Sequence, residues 1–261
     1  MTEEEPFQAL ATYERKVYSQ NGEDGVIEEL FKRIGTDSRF AVEFGVEDGQ
    51  ECNTRLLKEQ GWQVLQMDGQ ANNSSTGIKR EIITAENINE IFHKHKVPEN
   101  LDFLCIDIDS NDFYVWKALS DEYKPRLLMI EYNASFAPCH SRAVVYDPKL
   151  LWDGTQYFGA SLLAMYRLAK KKGYDLVYCN QNGVNAFFVR VDCMKNLEPK
   201  TPVEVYRGPA YGQLDAQGVW IGHKPTSRQF VEIDTDLNII PLPDGPKSFY
   251  HLLRKLTPGV R

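Results

Sequence analysis

A glycine-containing turn followed by a lone acid is the pattern with the clearest chemistry in this chain. A strand-like run, Phe40–Phe44, breaks into Gly45-Val46-Glu47-Asp48-Gly49, and Asp68 ends the next strand-like run. Glycines let a backbone approach a bound nucleotide closely, and a later carboxylate can hold a ribose diol. The pattern therefore predicts a nucleotide-cofactor pocket that involves Gly45, Gly49 and Asp68. The plainer alternative is a strand-to-helix turn with solvated acids and a turn-forming Asp68-Gly69.

The charge of this loop discriminates between cofactors. Glu43, Glu47 and Asp48 crowd the turn where a dinucleotide would place its pyrophosphate, and carboxylates repel phosphate. A cofactor that has a ribose, no phosphate and a positive centre fits better, and S-adenosylmethionine has these three properties. A nicotinamide-dependent oxidoreductase is the rival interpretation, and it is disfavoured by the same acids.

Further acids follow two later strand-like runs. Asp107 and Asp109 are two residues apart, as are Glu131 and Asn133, so the members of each pair share a face of their strand. Ligands bind at the carboxyl edge of an open parallel sheet, and oxygen ligands of this kind suit Mg²⁺. Without a metal, Asp109 or Glu131 is a candidate general base or orients the acceptor. The structural alternative is that these acids bond to backbone amides and to nearby Arg or Lys.

Two other segments carry candidate site residues. In Tyr18-Ser19-Gln20-Asn21-Gly22-Glu23-Asp24, the Gln20 and Asn21 amides suit a cofactor carboxylate, and the alternative is a helix cap centred on Ser19. The long segment Asn133–Gln156 is typical of an active-site lid. It contains His140, a candidate for deprotonating the acceptor, although a loop histidine can equally be solvated.

The elements that must position these residues alternate between strand and helix. A long amphipathic helix is expected over about 3–35. Strands are expected at 40–44, 63–67, 81–83, 101–108, 126–132, 175–179 and 185–191, and helices near 53–60, 88–95, 113–119 and 160–172. Alternation of this kind indicates a doubly wound, mostly parallel α/β sheet with helices on both faces. The turn at Asn182-Gly183 predicts that the last two strands form an antiparallel hairpin.

Composition limits the possible partners. The chain has 261 residues, 42% of them hydrophobic, which suffices for one large domain core. Its net charge of −7 and lack of a basic stripe argue against nucleic acid as the main partner. No apolar run reaches membrane-spanning length, and five scattered cysteines favour reduced thiols in a cytoplasmic protein. A homo-oligomer is compatible with the sequence.

Four blocks together resemble the FkbM-like branch of the class I S-adenosylmethionine-dependent methyltransferases. They are Tyr18–Asp24, Val42–Gly45, Ile106–Asp109 and Ile130–Asn133, and the resemblance covers roughly residues 17 to 191. It implies a Rossmann-like seven-stranded methyltransferase sheet in which Glu43 points toward the methionine end of the cofactor. The loop departs from the common GxGxG pattern, because Glu47 stands where the second glycine is usual.

The residues and the resemblance together predict roles for the site residues and an activity. Tyr18, Gln20, Glu43, Gly45, Gly49, Asp68 and Asp107 would contact the cofactor, Asp107, Asp109, Glu131 and Asn133 would hold a divalent metal such as Mg²⁺, and Asp109, Glu131 and His140 would act in catalysis. The expected activity is methylation of a small-molecule acceptor, with oxygen preferred over nitrogen. The alternatives are N-methylation of a small amine and a non-catalytic binding module.

The same interpretation of the sequence predicts three segments along the chain. Residues 1–36 are expected to form an N-terminal helical segment that contributes to the cofactor site. Residues 37–193 would form the methyltransferase core, and residues 194–261 an appended C-terminal segment that packs on it.

Overall fold

A single seven-stranded sheet organises the chain. The computed structural model describes residues 9–70, 77–195 and 197–242. The strands of this sheet are β1 (Phe40–Phe44), β2 (Gln63–Asp68), β3 (Lys79–Arg80), β4 (Phe103–Ile106), β5 (Leu127–Glu131), β7 (Tyr174–Cys179) and β8 (Asn185–Arg190). Their spatial order is β3-β2-β1-β4-β5-β8-β7. Strand β6 (Arg142–Val144) lies outside it.

The pairing of these strands confirms the predicted fold class. Strands β1 to β5 pair in parallel, whereas β8 pairs antiparallel with both β5 and β7. The hairpin between β7 and β8 turns at Gly183, which has a φ of +73° and donates its N–H to Asn180 O. The order is reversed at β1 and β4, which creates the crevice where open α/β sheets bind ligands.

Helices cover both faces of the sheet, as predicted. Helices α1 (Glu23–Ile34) and α2 (Arg55–Glu59) pack on one face, where Val26 and Leu30 meet Phe103 and Met129. Helices α3 (Ile88–Lys94), α4 (Asp112–Ala118) and α5 (Leu162–Lys172) pack on the other. Burial of these apolar stripes is the main force that holds the layers together. Within the described residues, every helix is too short or too polar to cross a bilayer.

The N-terminal helix is shorter than predicted. Residues 1–8 lie outside the described residues, Leu10–Tyr13 form one 3₁₀ turn, and only Glu23–Ile34 are α-helical. The stretch between them is an open loop because the Asp24 carboxylate accepts the N–H groups of Val17, Tyr18 and Ser19. These local side-chain-to-backbone bonds compete with helix formation, which the apolar period alone could not reveal.

Two further predictions at the sheet edge and in the lid were wrong in part. The third strand pairs through Lys79 and Arg80, and the predicted strand residues Glu81–Ile83 instead line an open cleft. The segment Asn133–Gln156, expected to be irregular, contains β6.

The C-terminal segment carries more regular structure than its sequence indicated. It contains α6 (Pro202–Val205), β9 (Gln213–Leu214), β10 (Trp220–Gly222), β11 (Phe230–Ile233) and β12 (Ile239–Pro241). Strand β11 pairs antiparallel with β6, so this segment and the predicted lid form one small three-stranded sheet with β12. Strands of two to four residues are too short to show a clear period-two pattern.

Candidate active site

Three carboxylates meet at the carboxyl edge of the sheet. Asp107 follows β4, Asp109 lies two residues further on, and Glu131 ends β5. One oxygen from each lies within 4.8 Å of the others. The described part of the chain offers none of the three a hydrogen bond or an ion pair, and Glu131 Oε2 is buried with no partner. The predicted alternative of Arg or Lys partners for these acids is therefore not what the described residues show.

This arrangement makes ionisation of the acids costly. Burial raises the pKa of Asp107 and of Glu131 well above the usual range for carboxyl groups, and the charges of the neighbouring acids raise both further. Desolvation and the charge of Glu47 also raise the pKa of Asp109, although its side chain still reaches solvent. Clustered carboxylates of this kind need a proton or a cation among them.

A tight turn fixes the position of Asp109. Its φ of +57° lies in the left-handed region, which Asp tolerates better than most residues. The buried Asp112 holds the turn by accepting the N–H groups of Ile108, at 2.8 Å, and Ser110, at 3.0 Å. Burial raises the pKa of Asp112 to about 6. The local backbone is thus held by a second carboxylate behind the cluster.

A cleft of about 970 Å³ opens beside the cluster, a volume typical of small-molecule sites. Asp107, Asp109, Asp68 and the loop residues Gly45, Glu47 and Asp48 all line it. Ile82 and Ile83 form an apolar wall of the cleft, and Pro148, Leu150, Leu151 and Trp152 of the predicted lid also line it.

Asp68 lies where the sequence predicts a ribose acid. Its Oδ2 accepts the N–H of Glu47, at 3.0 Å, and its Oδ1 accepts the N–H of Gln70, at 2.6 Å. A carboxylate oxygen can accept more than one hydrogen bond, so both oxygens retain capacity for a ligand hydroxyl. Glu47 has a φ of +47°, a conformation that glycine usually supplies, so the loop keeps its shape at the position where the sequence departs from GxGxG.

The two predicted loop glycines have different surroundings. Gly45 has a φ of +75°, and a Cβ there would come within 1.6 Å of Asp107 O. Its lack of a side chain is thus required by the backbone of β4, which lies directly against it. Gly49 lies on a separate cavity of about 350 Å³ with Arg55 and Lys58, and it does not line the main cleft.

Glu43 does not project into the cleft. Its carboxylate is buried and accepts the N–H groups of Asn53, at 2.7 Å, and Thr54, at 2.9 Å, as well as both of their side chains. It therefore holds the residues that lead into α2. The acids that face the cleft from the loop are Glu47 and Asp48.

Tyr18 and Gln20 also lie away from the cleft. The Tyr18 hydroxyl donates to Glu59 Oε2 at 2.9 Å, and the Arg55 guanidinium stacks on its ring at 4.1 Å. Gln20 is exposed, and its described hydrogen bond is with the neighbouring Asn21. The structure therefore attaches this block to α2 and to the sheet, whereas a cofactor contact was predicted.

Asn133 and His140 are not brought to the carboxylate cluster. The chain leaves β5 after Glu131, so the alternation that would place Asn133 beside Glu131 ends there. Its amide nitrogen donates to Gln156 O and Phe158 O, and its Oδ1 accepts the N–H of Ser135. His140 is half-buried near Arg142, which together with burial lowers its pKa, and it is not among the described residues that line the cleft.

The sequence did not predict an aromatic group that the C-terminal segment contributes. The His223 ring lies 4.6 Å from that of Trp152, which lines the cleft, 5.7 Å from that of Phe158 and 5.1 Å from that of Tyr211. Burial raises the pKa of Tyr211, and the charge of Glu131 raises it further. Burial lowers the pKa of His223, which favours its neutral form. The aromatic group therefore lies between the lid and the acidic cluster.

Two glycines give the only sequence signal for this group. A Cβ on Gly212 would come within 2.1 Å of Gly222 O, so the two backbones touch and carry Tyr211 and His223 side by side. The spacing of these two glycines does not by itself predict that their backbones touch, so the contact is evident only in the folded structure.

Comparison with known proteins adds little to this description. No family model and no curated protein matches the chain. Among solved structures, it is similar to the small RNA methyltransferase HEN1, with 11% identity and a TM-score of 0.34 over 67% of this chain and 26% of that one. It is also similar to an O-methyltransferase family protein from Burkholderia thailandensis, with 6% identity and a TM-score of 0.34 over 71% of this chain and 57% of that one. The chain thus covers less than two thirds of either structure, and likenesses this remote carry no argument about activity.

Proposed function

We propose that this protein is an S-adenosylmethionine-dependent methyltransferase that transfers a methyl group to a hydroxyl of a small-molecule acceptor, with a divalent cation such as Mg²⁺ at Asp107, Asp109 and Glu131. The observation that carries the proposal is the convergence of these three carboxylates, without a basic partner among the described residues, beside a cleft whose lining includes Asp107, Asp109 and Asp68. The FkbM-like branch of the superfamily is the family to which we assign it.

In this proposal Asp68 accepts hydrogen bonds from both ribose hydroxyls. The free acceptor capacity of its two oxygens and its position on the cleft support that role. The adenine would pack on the apolar wall that Ile82 and Ile83 form. Glu47, Asp48 and Asp109 all face the cleft, which favours a cofactor with a cationic sulfonium over one with phosphates.

The donor set also fits a divalent cation. Hard cations prefer carboxylate oxygens, and a bound ion would remove the repulsion that raises the pKa of Asp107 and Glu131. When bound, the cation would lower the pKa of an acceptor hydroxyl beside it, and the cofactor would supply an already activated methyl group. The work of this chain would then be to position the acceptor in line with the sulfonium, under Trp152.

We further propose His223 as the residue that receives the acceptor proton. It is close to Trp152 at the cleft, and its lowered pKa leaves the imidazole neutral and able to accept a proton near pH 7. Neither His223 nor His140, the candidate from the sequence, is among the described residues that line the cleft, but the His223 ring lies 4.6 Å from that of Trp152, which does line it.

One alternative is favoured by a specific feature of the site. A cleft whose lining includes Asp107, Asp109 and the aromatic ring of Trp152 also suits an ammonium group, since anionic oxygens and aromatic faces both attract cations. An N-methyltransferase that acts on a small amine would bind its acceptor there without a metal.

A methyl-transfer assay with labelled S-adenosylmethionine tests the proposal and this alternative together. Hydroxyl and amine acceptors would be compared in chelator and after Mg²⁺ or Mn²⁺ is restored, with the wild type, Asp107→Asn and a matched control, Asp121→Asn. Asp121 is an exposed acid that pairs with Lys172, and it lies outside the cleft lining.

We expect turnover with a hydroxyl acceptor that chelation and Asp107→Asn abolish and that Asp121→Asn leaves unchanged. Turnover of amines that is insensitive to chelation would favour the alternative. A protein that binds neither the cofactor nor a metal would be a binding module of another kind, and the proposed activity would be wrong.

A further inference from the structure

Asn185 lies directly beside the acidic cluster, on the strand next to β5. Strands β5 and β8 are antiparallel, and Glu131 pairs with Asn185 in their register. The side chains of directly opposed residues project from the same face of a sheet, with Cβ atoms about 4.5–5.5 Å apart. The Asn185 amide therefore shares the edge at which the three carboxylates meet.

Glu131 and Asn185 each carry a buried oxygen that has no partner. Glu131 is 9% exposed and Asn185 is 3% exposed. Neither Glu131 Oε2 nor Asn185 Oδ1 accepts a hydrogen bond from any described residue. An unsatisfied buried acceptor costs about 1–3 kcal/mol, and two acceptors cannot satisfy each other. Each of these oxygens therefore lacks a hydrogen-bond donor or a cation.

Glu23 fixes the orientation of the Asn185 amide. Asn185 Nδ2 donates to Glu23 Oε1 at 2.8 Å, and Asn180 Nδ2 donates to the same oxygen at 3.0 Å. Glu23 Oε2 accepts the N–H of Asn21 at 2.8 Å. If the Asn185 amide flipped, its oxygen would face the Glu23 carboxylate and the two would repel. The charge of Glu23 therefore keeps the amide nitrogen directed at Glu23, and Asn185 Oδ1 is left without a hydrogen bond.

We propose that Asn185 Oδ1 is a further ligand of the cation held by Asp107, Asp109 and Glu131, and that Glu23 is a positioning residue that holds the amide for this purpose. The inference rests on the cation site of the proposed function and extends it to a strand that the sequence did not implicate. Amide oxygens are ordinary ligands of hard cations, and partners that orient a ligand contribute strongly to metal affinity.

This inference also assigns a role to the N-terminal block Tyr18–Asp24. Its Asp24 holds the loop through three backbone N–H groups, and its Glu23 begins α1 within hydrogen-bonding distance of Asn185. In this inference the block supports the metal site through the bond between Glu23 and Asn185, whereas the sequence predicted a contact with the cofactor. The amide of Asn133, the ligand predicted from the sequence, donates to the backbone oxygens of Gln156 and Phe158.

Direct titration with Mn²⁺, followed by the electron paramagnetic resonance signal of the free ion, tests the inference on the full chain without any need for activity. The variants are Asn185→Ala and a matched control from the same hairpin, Asn182→Ala, whose side chain donates to Asn21 Oδ1. We expect Asn185→Ala to weaken Mn²⁺ affinity about 10-fold or more and Asn182→Ala to leave it nearly unchanged. Thermal melts in chelator would establish that each variant folds.

A rescue experiment separates positioning from general structural damage. Glu23→Gln alone permits the amide to flip, so it should weaken Mn²⁺ binding. The double variant E23Q/N185D exchanges donor and acceptor between the two positions and supplies an anionic oxygen at the cluster. We expect its Mn²⁺ affinity to return to the wild-type value or above.

The outcomes distinguish this inference from the proposed function. If the wild type does not bind Mn²⁺, the cation site itself is wrong, and a proton between Glu131 and Asn185 accounts for both oxygens. A second outcome is that the wild type binds Mn²⁺ and Asp107→Asn does not, but Asn185→Ala binds it as well as Asn182→Ala does. That result would overturn only the present inference. Failure of E23Q/N185D to improve on Asn185→Ala would also overturn it.

Discussion

The carboxylate of Asp112 allows the electrostatics of the sheet edge to be tested quantitatively. It is fully buried at the start of α4, and burial together with the charge of Asp109 raises its pKa from 3.8 to about 6, against the opposing effect of hydrogen bonds from backbone N–H groups that include those of Ile108 and Ser110. Substitution by Asn keeps the shape and removes the ionisation. In the variant only one of these two N–H groups retains an acceptor oxygen. The lost hydrogen bond lowers the free energy of unfolding by about 1–3 kcal/mol at every pH.

The sign of the pH effect follows from this raised pKa. Because the folded-state pKa lies above the unfolded-state value, the folded protein binds more protons than the unfolded chain between the two values. The contribution of Asp112 to stability is therefore full at low pH and is lost as the pH rises through about 6. At about 1.36 kcal/mol per pKa unit, the total loss is about 3 kcal/mol, of which about 2 kcal/mol falls between roughly pH 4 and pH 8.

Urea unfolding of the metal-free wild type and Asp112→Asn across this pH range measures the effect. Burial lowers the pKa of His140 and His223, which gives stability that grows with pH, but this contribution is common to both proteins and cancels in the difference. We expect Asp112→Asn to be clearly destabilised at about pH 4 and to recover about 2 kcal/mol relative to the wild type by about pH 8. A difference that stays constant, or that widens with pH, would refute the electrostatic reasoning.

Three further predictions concern the cofactor, the backbone and the base. Asp68→Ala should raise the dissociation constant of S-adenosylmethionine on the order of 100-fold by calorimetry, since it removes two charge-assisted hydrogen bonds, and an unchanged constant would contradict the ribose assignment. Gly45→Ala should lower the free energy of unfolding in urea by more than about 4 kcal/mol, because the added Cβ would lie 1.6 Å from a backbone oxygen. Gly61→Ala, whose Cβ would have no atom within 4 Å, should lower it by only about 1–2 kcal/mol because of the positive φ. Equal costs would show that the close contact is relieved elsewhere. His223→Gln should slow methyl transfer by about 100-fold or more without changing cofactor affinity, and His140→Gln should have little effect on the rate. A larger loss of rate in His140→Gln than in His223→Gln would show that His223 is not the base.

The fold was largely predictable because its strands are nearly continuous apolar runs. Strands such as Leu127–Glu131 are buried on both faces, which marks them in the sequence without any partner information. The extent of the N-terminal helix was not predictable, since Asp24 holds residues Val17–Ser19 in an open loop through bonds that compete with helix formation. The short strands β6 and β11 exist mainly because they pair with each other across the chain.

The candidate site was predictable to the extent that it depends on strand alternation. Asp107 and Asp109 were expected at the same edge as Glu131, and that is where the structure has them. For Asn133 the alternation argument stops at Glu131, where β5 ends, and the Asn133 side chain bonds to backbone groups of Gln156, Phe158 and Ser135. Asn185 and His223 reach the site through sheet order and C-terminal packing, which one sequence does not encode locally.

The most direct test of the account is a calorimetric titration of the purified protein with S-adenosylmethionine in the presence of Mn²⁺, beside an identical titration with NAD. The account predicts that one equivalent of S-adenosylmethionine binds and that NAD does not, because Glu47, Asp48 and Asp109 repel its phosphates. Binding of NAD, or no binding of S-adenosylmethionine, would contradict it.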